Sequence, residues 1–189
     1  KFRDFAGEKY RIRTHTVSPS KGEHEVYRVI IEEFCRICEL YYNSTGDTKK
    51  DAGLRLMRQI KLLIKACSVP HLISGYYGDD YPSKTRYIDS LIRKIRGKVA
   101  IGCTTLAALE LYEHHIRECF PDRPIYVVKG DVSFKKRQCI VKEFDSTING
   151  ILICTQQSLS SSVNIPSCND VILESLQWNI PKMEQFYFR

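Results

Sequence analysis

The sequence of this 189-residue chain predicts an α/β protein, in which a parallel sheet is covered by helices on both faces. Residues 98–189 alternate short apolar segments with helical segments of about 11 to 15 residues, the order expected of strands joined by crossover helices. The apolar segments, such as Ile151–Cys154, are nearly continuous, as strands buried on both faces require. Residues 1–97 are instead predicted to form an appended helical segment that leads into this core.

The helical part is predicted from apolar residues that recur at the period of an α-helix. Three helices are expected, over residues 25–42, 50–67 and 84–96. The polar segment Asn43–Asp47 separates the first two helices, and Pro70 ends the second. A loop rich in glycine, tyrosine and aspartate, Gly75–Pro82, precedes the third.

The α/β part is predicted to contain four strands, over residues 99–103, 125–128, 150–155 and 171–174. Thr104 or Thr105 is expected to cap a helix that ends near Cys119, and Ser133 a helix from Phe134 to Phe144. Pro181 is well placed in the first turn of a final helix. Ligands of such sheets bind beyond the carboxyl ends of the strands. Function is therefore expected in the loops that follow residues 103, 128, 155 and 174.

The amino-acid composition indicates what kind of partner the protein binds and in which compartment it lies. The net charge of +7 favours a polyanionic partner such as nucleic acid, because basic side chains release counterions from phosphates. No apolar run of about 18 residues occurs, so no membrane partner is expected. Eight cysteines in a core-rich chain of this size indicate a reducing compartment rather than a disulfide frame. The protein is therefore expected to be intracellular, and cytoplasmic unless it is a nuclear protein of a eukaryote.

Several kinds of site are absent from the sequence. Cys35 and Cys38 have the spacing of zinc ligands, but no second pair follows at finger spacing, so two buried helix thiols are predicted and no metal site. No glycine fingerprint of a dinucleotide fold follows the first strand, and the chain contains no P-loop motif. The chain alone is therefore not expected to hold a nucleoside triphosphate.

The candidate binding residues lie at the carboxyl ends of predicted strands. Thr104 and Thr105 follow the first strand, where hydroxyls and helix N-terminal amides suit a phosphate, although an N-cap explains them equally well. The basic run Lys135–Arg137 is more typical of a solvated helix face than of a phosphate site. Thr155 opens the serine-rich stretch 155–166, which is predicted to be a loop and places Thr155 near a nucleic-acid phosphate and Asn164 in a bridging role.

Two polar residues stand out near the end of the chain. Gln185 and Arg189 share one face of the predicted last helix through their spacing of four residues. A solvent-facing pair is the ordinary explanation for such residues, so the spacing alone assigns them no role.

Taken together, residues 98–189 resemble the C-terminal motor lobe of superfamily-two helicases, and most closely the Swi/Snf-type DNA translocase branch. Val99–Thr104 is similar to motif IV of that family. Ile151–Thr155, continued by Val163–Ile165, resembles motif V, with Asn164 at the position of its asparagine. Gln185 and Arg189 match the opening of motif VI.

The resemblance extends along most of the chain. Gly130–Ser133, with Arg137 and Phe144 behind it, is similar to the segment between motifs IV and V. Upstream, similar segments are Val17–Pro19 with Tyr27, Leu56–Ile60, and Ser83-Lys84 with Ile88 and Leu91. The chain departs from the family where Ser160 and Ser162 replace the glycines of motif V. It also has Cys103-Thr104 where Ser-Gln is usual, and the second arginine of motif VI would follow three residues after Arg189.

The resemblance implies a RecA-like core over residues 98–189 that ends inside motif VI. It implies that the chain is the second lobe of an ATP-dependent DNA motor, whose ATP and Mg²⁺ are held mainly by an N-terminal RecA-like lobe of the same protein. Residues implied to contact the nucleic-acid backbone are Thr104, Thr105 and Thr155. Asn164 is implied to face the interlobe cleft, and Gln185 and Arg189 to belong to the catalytic machinery.

Two other interpretations remain open at this stage. The first is a degenerate helicase-like module that only binds DNA or a partner protein, which the serines at 160 and 162 favour slightly. The second is a small-molecule enzyme with a nucleotide-binding α/β fold, against which the missing glycine fingerprint argues. In the favoured interpretation, the isolated chain lacks ATPase activity because the P-loop and the second arginine are missing.

Overall fold

The computed structural model describes residues 11–79, 81–159, 165 and 167–176. The helices are α1 (Lys21–Asn43), α2 (Gly46–Ser68), α3 (Ser83–Ile92), α4 (Leu106–Cys119), α5 (Phe134–Asp145) and α6 (Gln156–Leu159), with a 3₁₀ turn at Pro70–Leu72. The strands are β1 (Val99–Cys103), β2 (Ile125–Val128), β3 (Ile151–Thr155) and β4 (Asp170–Leu173). The predicted last helix lies outside the described residues, and so do Asn164, Gln185 and Arg189.

The four strands form one parallel sheet in the order β2-β3-β1-β4. In its central register, Ala100 lies between Leu152 on one side and Val171 on the other. Strands β1 and β3 are buried along nearly their whole length, which explains their unbroken apolar sequences. The predicted parallel sheet is confirmed.

Helices pack on both faces of this sheet, as predicted. On one face, helix α4 packs Leu109, Tyr112 and Ile116 against the odd-numbered residues of β1 and β3. On the other face, helix α5 packs Val141 and Phe144 against the even-numbered residues. Adjacent side chains of a strand point to opposite faces, so the two cores share the same strands.

Helix α3 belongs to the sheet rather than to the helical hairpin before it. Its Ile88 and Ile92 are buried in the same apolar cluster as helix α4. The predicted third helix reaches residue 96, but α3 ends at Ile92. Residues 93–97 instead leave the helix through a turn and lead to Lys98, which directly precedes β1.

Helices α1 and α2, of 23 residues each, pack against each other as a hairpin. Only Ser44 and Thr45 separate them, and Gly46 begins α2 with a φ of 57°, in the left-handed region that favours glycine. Val26, Ile30 and Ala66 form the small apolar core of this hairpin. Both helices begin four residues earlier than the sequence pattern predicts.

Glu23 joins the hairpin to the sheet domain. Its carboxylate accepts a hydrogen bond of 2.6 Å from the Ser20 amide, which completes a capping box on α1. The same carboxylate accepts hydrogen bonds from the amide of Ser83, at 2.9 Å, and from its hydroxyl, at 2.6 Å. One buried carboxylate therefore caps the N-termini of α1 and α3 together. Burial acts to raise the pKa of Glu23, but these hydrogen bonds outweigh it and lower the pKa.

All eight cysteines are free thiols, consistent with the expectation that the fold needs no disulfide. Cys35 and Cys38 lie on a helix as predicted, but the prediction that both are buried is wrong, since Cys35 is exposed and Cys38 is half-buried on α1. No helix among residues 11–79, 81–159, 165 and 167–176 is long and apolar enough to cross a membrane.

Candidate functional site

The carboxyl ends of the strands bring the predicted threonines to one edge of the sheet. Cys103, the last residue of β1, pairs with Thr155, the last residue of β3. Thr104 and Thr105 therefore leave the sheet beside Thr155. Strand β4 ends on the other side of β1, where Glu174 extends the ladder by donating its amide to the Gly102 carbonyl at 3.1 Å.

Thr105 is the N-cap of α4. Its hydroxyl oxygen accepts a hydrogen bond of 3.1 Å from the Ala108 amide, so the capping explanation holds for this residue. A threonine hydroxyl can accept and donate at the same time. The Thr105 proton therefore stays available for an anion at the N-terminus of α4, and capping does not exclude a phosphate contact.

The hydroxyl of Thr104 differs from that of Thr105 in its hydrogen bonding. Its hydroxyl oxygen is buried and has no hydrogen-bond partner in the described part of the chain. An unpartnered buried hydroxyl costs folding free energy, and such groups occur where a ligand or a partner supplies the missing bond. Thr104 therefore has the free donor that a phosphate contact needs, but its hydroxyl must become accessible first.

Thr155 uses its hydroxyl within the protein. Its oxygen forms a short hydrogen bond with the Ser158 hydroxyl. The Ser158 hydroxyl lies 3.2 Å from the Val128 carbonyl and 3.0 Å from the Thr155 carbonyl, to which it donates. The Thr155 proton is then donated to Ser158, so a phosphate at this position would have to displace that bond. The prediction that the whole 155–166 stretch is a loop is wrong at its start, since Gln156–Leu159 form the single-turn helix α6.

Gln156, which sequence reasoning did not single out, fixes the start of this turn. Its side chain is 1% exposed, and its amide nitrogen donates to the Gly102 carbonyl at 3.2 Å and to the Ser175 carbonyl at 2.6 Å. The side-chain oxygen of Gln156 is buried and has no partner in the described part of the chain. Gln156 thereby ties the segment after β3 to those that end β1 and β4.

Arg137 holds the same turn from the side of β2. Its guanidinium donates to the Ser158 carbonyl at 2.5 Å and to the Val132 carbonyl at 3.1 Å. The predicted basic run is therefore divided. Lys135 and Lys136 are exposed, as a solvated helix face requires, whereas Arg137 points inward and links the loop after β2 to α6.

A buried ion pair lies at the carboxyl end of β4. The side chain of Glu174 is fully buried, and its carboxylate lies 3.0 Å from the ammonium of Lys84 on α3. Lys84 also donates to the Ser175 hydroxyl at 3.3 Å, and that hydroxyl lies 3.2 Å from the hydroxyl of Ser68 at the end of α2. The second carboxylate oxygen of Glu174 has no partner in the described part of the chain.

This ion pair lies against the apolar core, and its charge affects two buried neighbours. Burial, and then the carboxylate of Glu174, raise the pKa of the Cys103 thiol and of the Tyr112 phenol. Both groups therefore stay neutral, and neither serves as a nucleophile or a base.

The structure thus brings together three of the six predicted site residues, Thr104, Thr105 and Thr155. It adds Lys84 and Arg137, which the sequence offered only as parts of segments similar to the family. It also adds Gln156, Ser158 and Glu174, which the sequence did not single out. The catalytic predictions at Gln185 and Arg189 and the cleft prediction at Asn164 lie outside the described residues.

Comparison with known proteins identifies the family. Residues 83–189 match the model of the helicase conserved C-terminal domain, so the match begins at the first residue of α3. A sequence comparison with curated proteins finds no match.

Solved structures share the fold at low identity. The C-terminal part of the Fun30 ATPase domain superimposes with a TM-score of 0.72 at 14% identity, covering 91% of this chain and 76% of that one. The C-terminal domain of the SWI2/SNF2 ATPase of Sulfolobus solfataricus gives a TM-score of 0.66 at 18% identity, covering 86% of this chain and 71% of that one.

The core domain of the same Sulfolobus solfataricus ATPase gives a TM-score of 0.70 at 16% identity. That match covers 90% of this chain but only 35% of the other, so the chain spans about a third of that core domain. The RecA-like fold implied by the resemblance is therefore confirmed, and the appended helices are included in the matched part. With a family model that matches more than half of its length, the chain belongs to the helicase conserved C-terminal domain family.

Proposed function

We propose that this chain is the second motor lobe of an ATP-dependent DNA helicase or translocase. In this role it contributes contacts to the nucleic-acid backbone and the arginine side of the ATP cleft. The observation that carries the proposal is the group of three threonines at the carboxyl edge of the sheet, in a chain of the helicase C-terminal family. The Sulfolobus solfataricus SWI2/SNF2 ATPase core, a structural neighbour, was solved in complex with dsDNA.

The geometry of the edge suits a phosphate more than a base. Thr105 keeps a free proton beside the N-terminal amides of α4, which are themselves donors directed at an anion. Thr104 supplies a second hydroxyl without a partner in the described part of the chain. Donors of this kind position a nucleic-acid backbone but carry no sequence information. We therefore expect binding to duplex DNA that is independent of base sequence.

The ATP side of the proposal rests on sequence motifs. Gln185 and Arg189 match the opening of motif VI, and Asn164 the asparagine of motif V. In motors of this class an arginine stabilises charge on the transferring phosphate, while the other lobe holds ATP and Mg²⁺. We propose the same division here, with Arg189 as a supporting arginine and the N-terminal lobe of the full-length protein as the partner.

Duplex binding is the direct test. Fluorescence anisotropy with a labelled duplex should give an affinity that falls steeply with salt, with a slope of about 0.9 per phosphate contact in a double-logarithmic plot. Thr155→Val should weaken binding, whereas Thr45→Val, a matched change at the N-cap of α2 on the hairpin, should not. An affinity that is independent of salt, or equal effects of the two substitutions, would contradict the nucleic-acid part of the proposal.

ATP hydrolysis tests the catalytic part. We expect the isolated chain to be inactive, and Arg189→Ala in the full-length protein to cut DNA-stimulated turnover strongly at an unchanged melting temperature. An arginine in this role contributes about a thousandfold or more in rate, and a supporting arginine less. Turnover within twofold of the parent would remove Arg189 from the catalytic machinery.

A degenerate module that binds DNA or protein without hydrolysis is the second candidate, because Ser160 and Ser162 replace glycines of motif V. Full-length protein that binds duplex DNA but shows no DNA-stimulated hydrolysis of ATP would establish that candidate instead.

A further inference from the structure

Three side chains with metal-ligating atoms meet between α3 and α4, away from the carboxyl edge. Asp89 lies on α3, and His115 and Cys119 lie one turn apart on α4. The His115 Nε2 atom is 2.5 Å from a carboxylate oxygen of Asp89 and 3.6 Å from the Cys119 sulfur. All three ligand atoms lie within 4.8 Å of one another. Among the described residues this is the one group of three or more histidine, cysteine or carboxylate ligands that close.

The group is enclosed on most sides and is not fully satisfied by its own hydrogen bonds. His115 is 5% exposed, and the ring of Tyr81 covers its imidazole at a centroid distance of 4.0 Å. The second carboxylate oxygen of Asp89 is buried and has no partner in the described part of the chain. A buried acceptor of this kind costs free energy unless a cation or a donor reaches it. This unpartnered oxygen, beside a nitrogen and a sulfur ligand, points to a ligand that the hydrogen bond between Asp89 and His115 does not explain.

One of the three ligand separations already matches that of a tetrahedral zinc ion. With zinc–sulfur and zinc–nitrogen distances of about 2.3 and 2.0 Å, the sulfur and nitrogen ligands lie about 3.5 Å apart. The separation of the Cys119 sulfur from His115 Nε2 is 3.6 Å. A zinc-bound nitrogen and oxygen lie about 3.3 Å apart, so the hydrogen bond between His115 and Asp89 has to open by less than about 1 Å. Rotation of the Asp89 side chain gives that opening. The Cys119 side chain must rotate as well, because its sulfur also lies 3.8 Å from the His115 Nδ1 atom and has to reach the Nε2 side of the ring.

We propose that Asp89, His115 and Cys119 bind a zinc ion that clamps α3 to α4, with water in the fourth position. The helical spacing of His115 and Cys119 presents both ligands on one face, and Asp89 supplies the third from the neighbouring helix. Oxygen, nitrogen and thiolate ligands together suit zinc better than calcium or magnesium, which prefer oxygen alone. The site is independent of the proposed motor function.

Metal binding requires the thiolate form of Cys119. A bound cation therefore displaces the proton of this thiol. The two states of the cluster are therefore a hydrogen-bonded Asp–His pair with a neutral thiol, and a metal-bound state in which all three ligands face the ion.

Cobalt(II) is the probe that distinguishes this site. The whole chain without a histidine tag should be titrated with cobalt(II) in a background in which Cys35 and Cys38 are serine, because that pair is a rival thiol site. We expect one equivalent to produce a thiolate-to-cobalt charge-transfer band together with the strong visible bands of tetrahedral cobalt. Zinc(II) should abolish both sets of bands by displacement.

Matched variants assign the ligands. Cys119→Ser should remove the charge-transfer band, whereas Cys139→Ser should leave it unchanged, because Cys139 is an exposed thiol of α5 that belongs to no ligand group among the described residues. Asp89→Asn should weaken zinc binding at least tenfold. Zinc should raise the melting temperature of the parent and of Cys139→Ser but not that of Cys119→Ser. The proposal is overturned if the charge-transfer band is missing in the parent, or if Cys119→Ser retains it with an unchanged affinity.

Discussion

The two edges of the sheet, where its strands begin (the amino edge) and where they end (the carboxyl edge), differ in how completely their polar groups are hydrogen-bonded. At the amino edge, the guanidinium of Arg123 donates to four carbonyl groups, at distances from 2.7 to 3.3 Å. Those carbonyls belong to residues 92, 95, 97 and 149, just before β1 and β3. Lys98 likewise donates to the Asp145 carbonyl and the Ser167 hydroxyl, at 2.5 and 2.6 Å. Every donor named here has a protein acceptor.

The carboxyl edge keeps polar atoms without partners in the described part of the chain. These atoms are the Thr104 hydroxyl, the Gln156 side-chain oxygen, one carboxylate oxygen of Glu174 and the Nε atom of Arg137. A fold can leave such groups unsatisfied only where something else stabilises them or where a ligand or partner completes them. The difference agrees with our proposal that the carboxyl edge binds nucleic acid, as ligands of open α/β sheets generally bind there, and it assigns a stabilising role to the amino edge. Substitutions that change stability without changing DNA affinity, or affinity without stability, test this division of roles.

The largest effect is expected at Lys84, because it neutralises a carboxylate that is fully buried at the carboxyl edge. Lys84→Met leaves Glu174 charged and unpaired, which should cost about 3 kcal/mol of the free energy of unfolding, at the low end for a broken buried pair. Urea denaturation measures this loss. The double variant Lys84→Met/Glu174→Leu should recover most of it, since an apolar pair needs no desolvation of charge. If the double variant recovers none of the lost free energy of unfolding, the ion pair has a role other than neutralising its two charges.

Arg123→Met tests the amino edge. The substitution keeps the apolar stem but removes the donors to four carbonyl groups, so we expect a loss of about 2 kcal/mol in the free energy of unfolding. Duplex affinity, measured below the unfolding transition, should not change, because no part of the carboxyl edge depends on this residue. A fall in affinity at intact fold would mean that the two edges are coupled, and would weaken the division of roles.

The turn that Arg123 binds could not be predicted from the local sequence. The prediction continues the third helix to residue 96, because nothing in the local pattern ends it earlier. The carbonyls of Ile92, Ile95 and Gly97 are bound by an arginine that is more than 25 residues away, and this tertiary contact stabilises the turn. The predicted strands, by contrast, agree with β1 and β2 at both ends, and with β3 and β4 to within one residue, because buried apolar runs are a local signal.

One feature that the prediction missed had a signal in the sequence. Ser20 and Glu23 have the spacing of a capping box, which places the start of α1 at Lys21 rather than at Glu25. In the site, Thr104, Thr105 and Thr155 were predictable because they follow strands. The inward direction of Gln156 and Arg137 was not, because it depends on carbonyl groups from other strands.

A smaller effect is expected for Glu23→Gln, at the junction of the hairpin and the sheet domain. A glutamine retains one acceptor but loses the charge that faces two helix N-termini, so a loss of about 1 kcal/mol is expected at neutral pH. The folded-state pKa of Glu23 is lowered, so its contribution is present above the ordinary carboxyl pKa and is lost as the pH falls through the lowered value. The stability difference between parent and variant should therefore vanish in acid. A difference that persists below that range would show that the charge is not its cause.

The smallest change in stability is expected for Thr104→Val. Its comparison with Thr105→Val is the most informative one. Valine has the shape of threonine without its hydroxyl. At position 105 it removes the cap of α4 and should cost about 1 kcal/mol. At position 104 it removes a buried hydroxyl without a partner in the described part of the chain, so stability should be unchanged or rise slightly, by less than about 1 kcal/mol.

DNA affinity should respond in a different way from stability. If both hydroxyls donate to phosphates, each substitution should weaken duplex binding by about two- to tenfold, the range expected for one hydrogen bond. Thr104→Val would then be a variant of equal or greater stability with lower affinity, which a purely structural threonine cannot give. Thr104→Ser restores the hydroxyl and should restore binding. If Thr104→Val binds as the parent does, its hydroxyl has no role in binding, and the unpartnered atoms of the carboxyl edge need another explanation, such as contact with the N-terminal lobe.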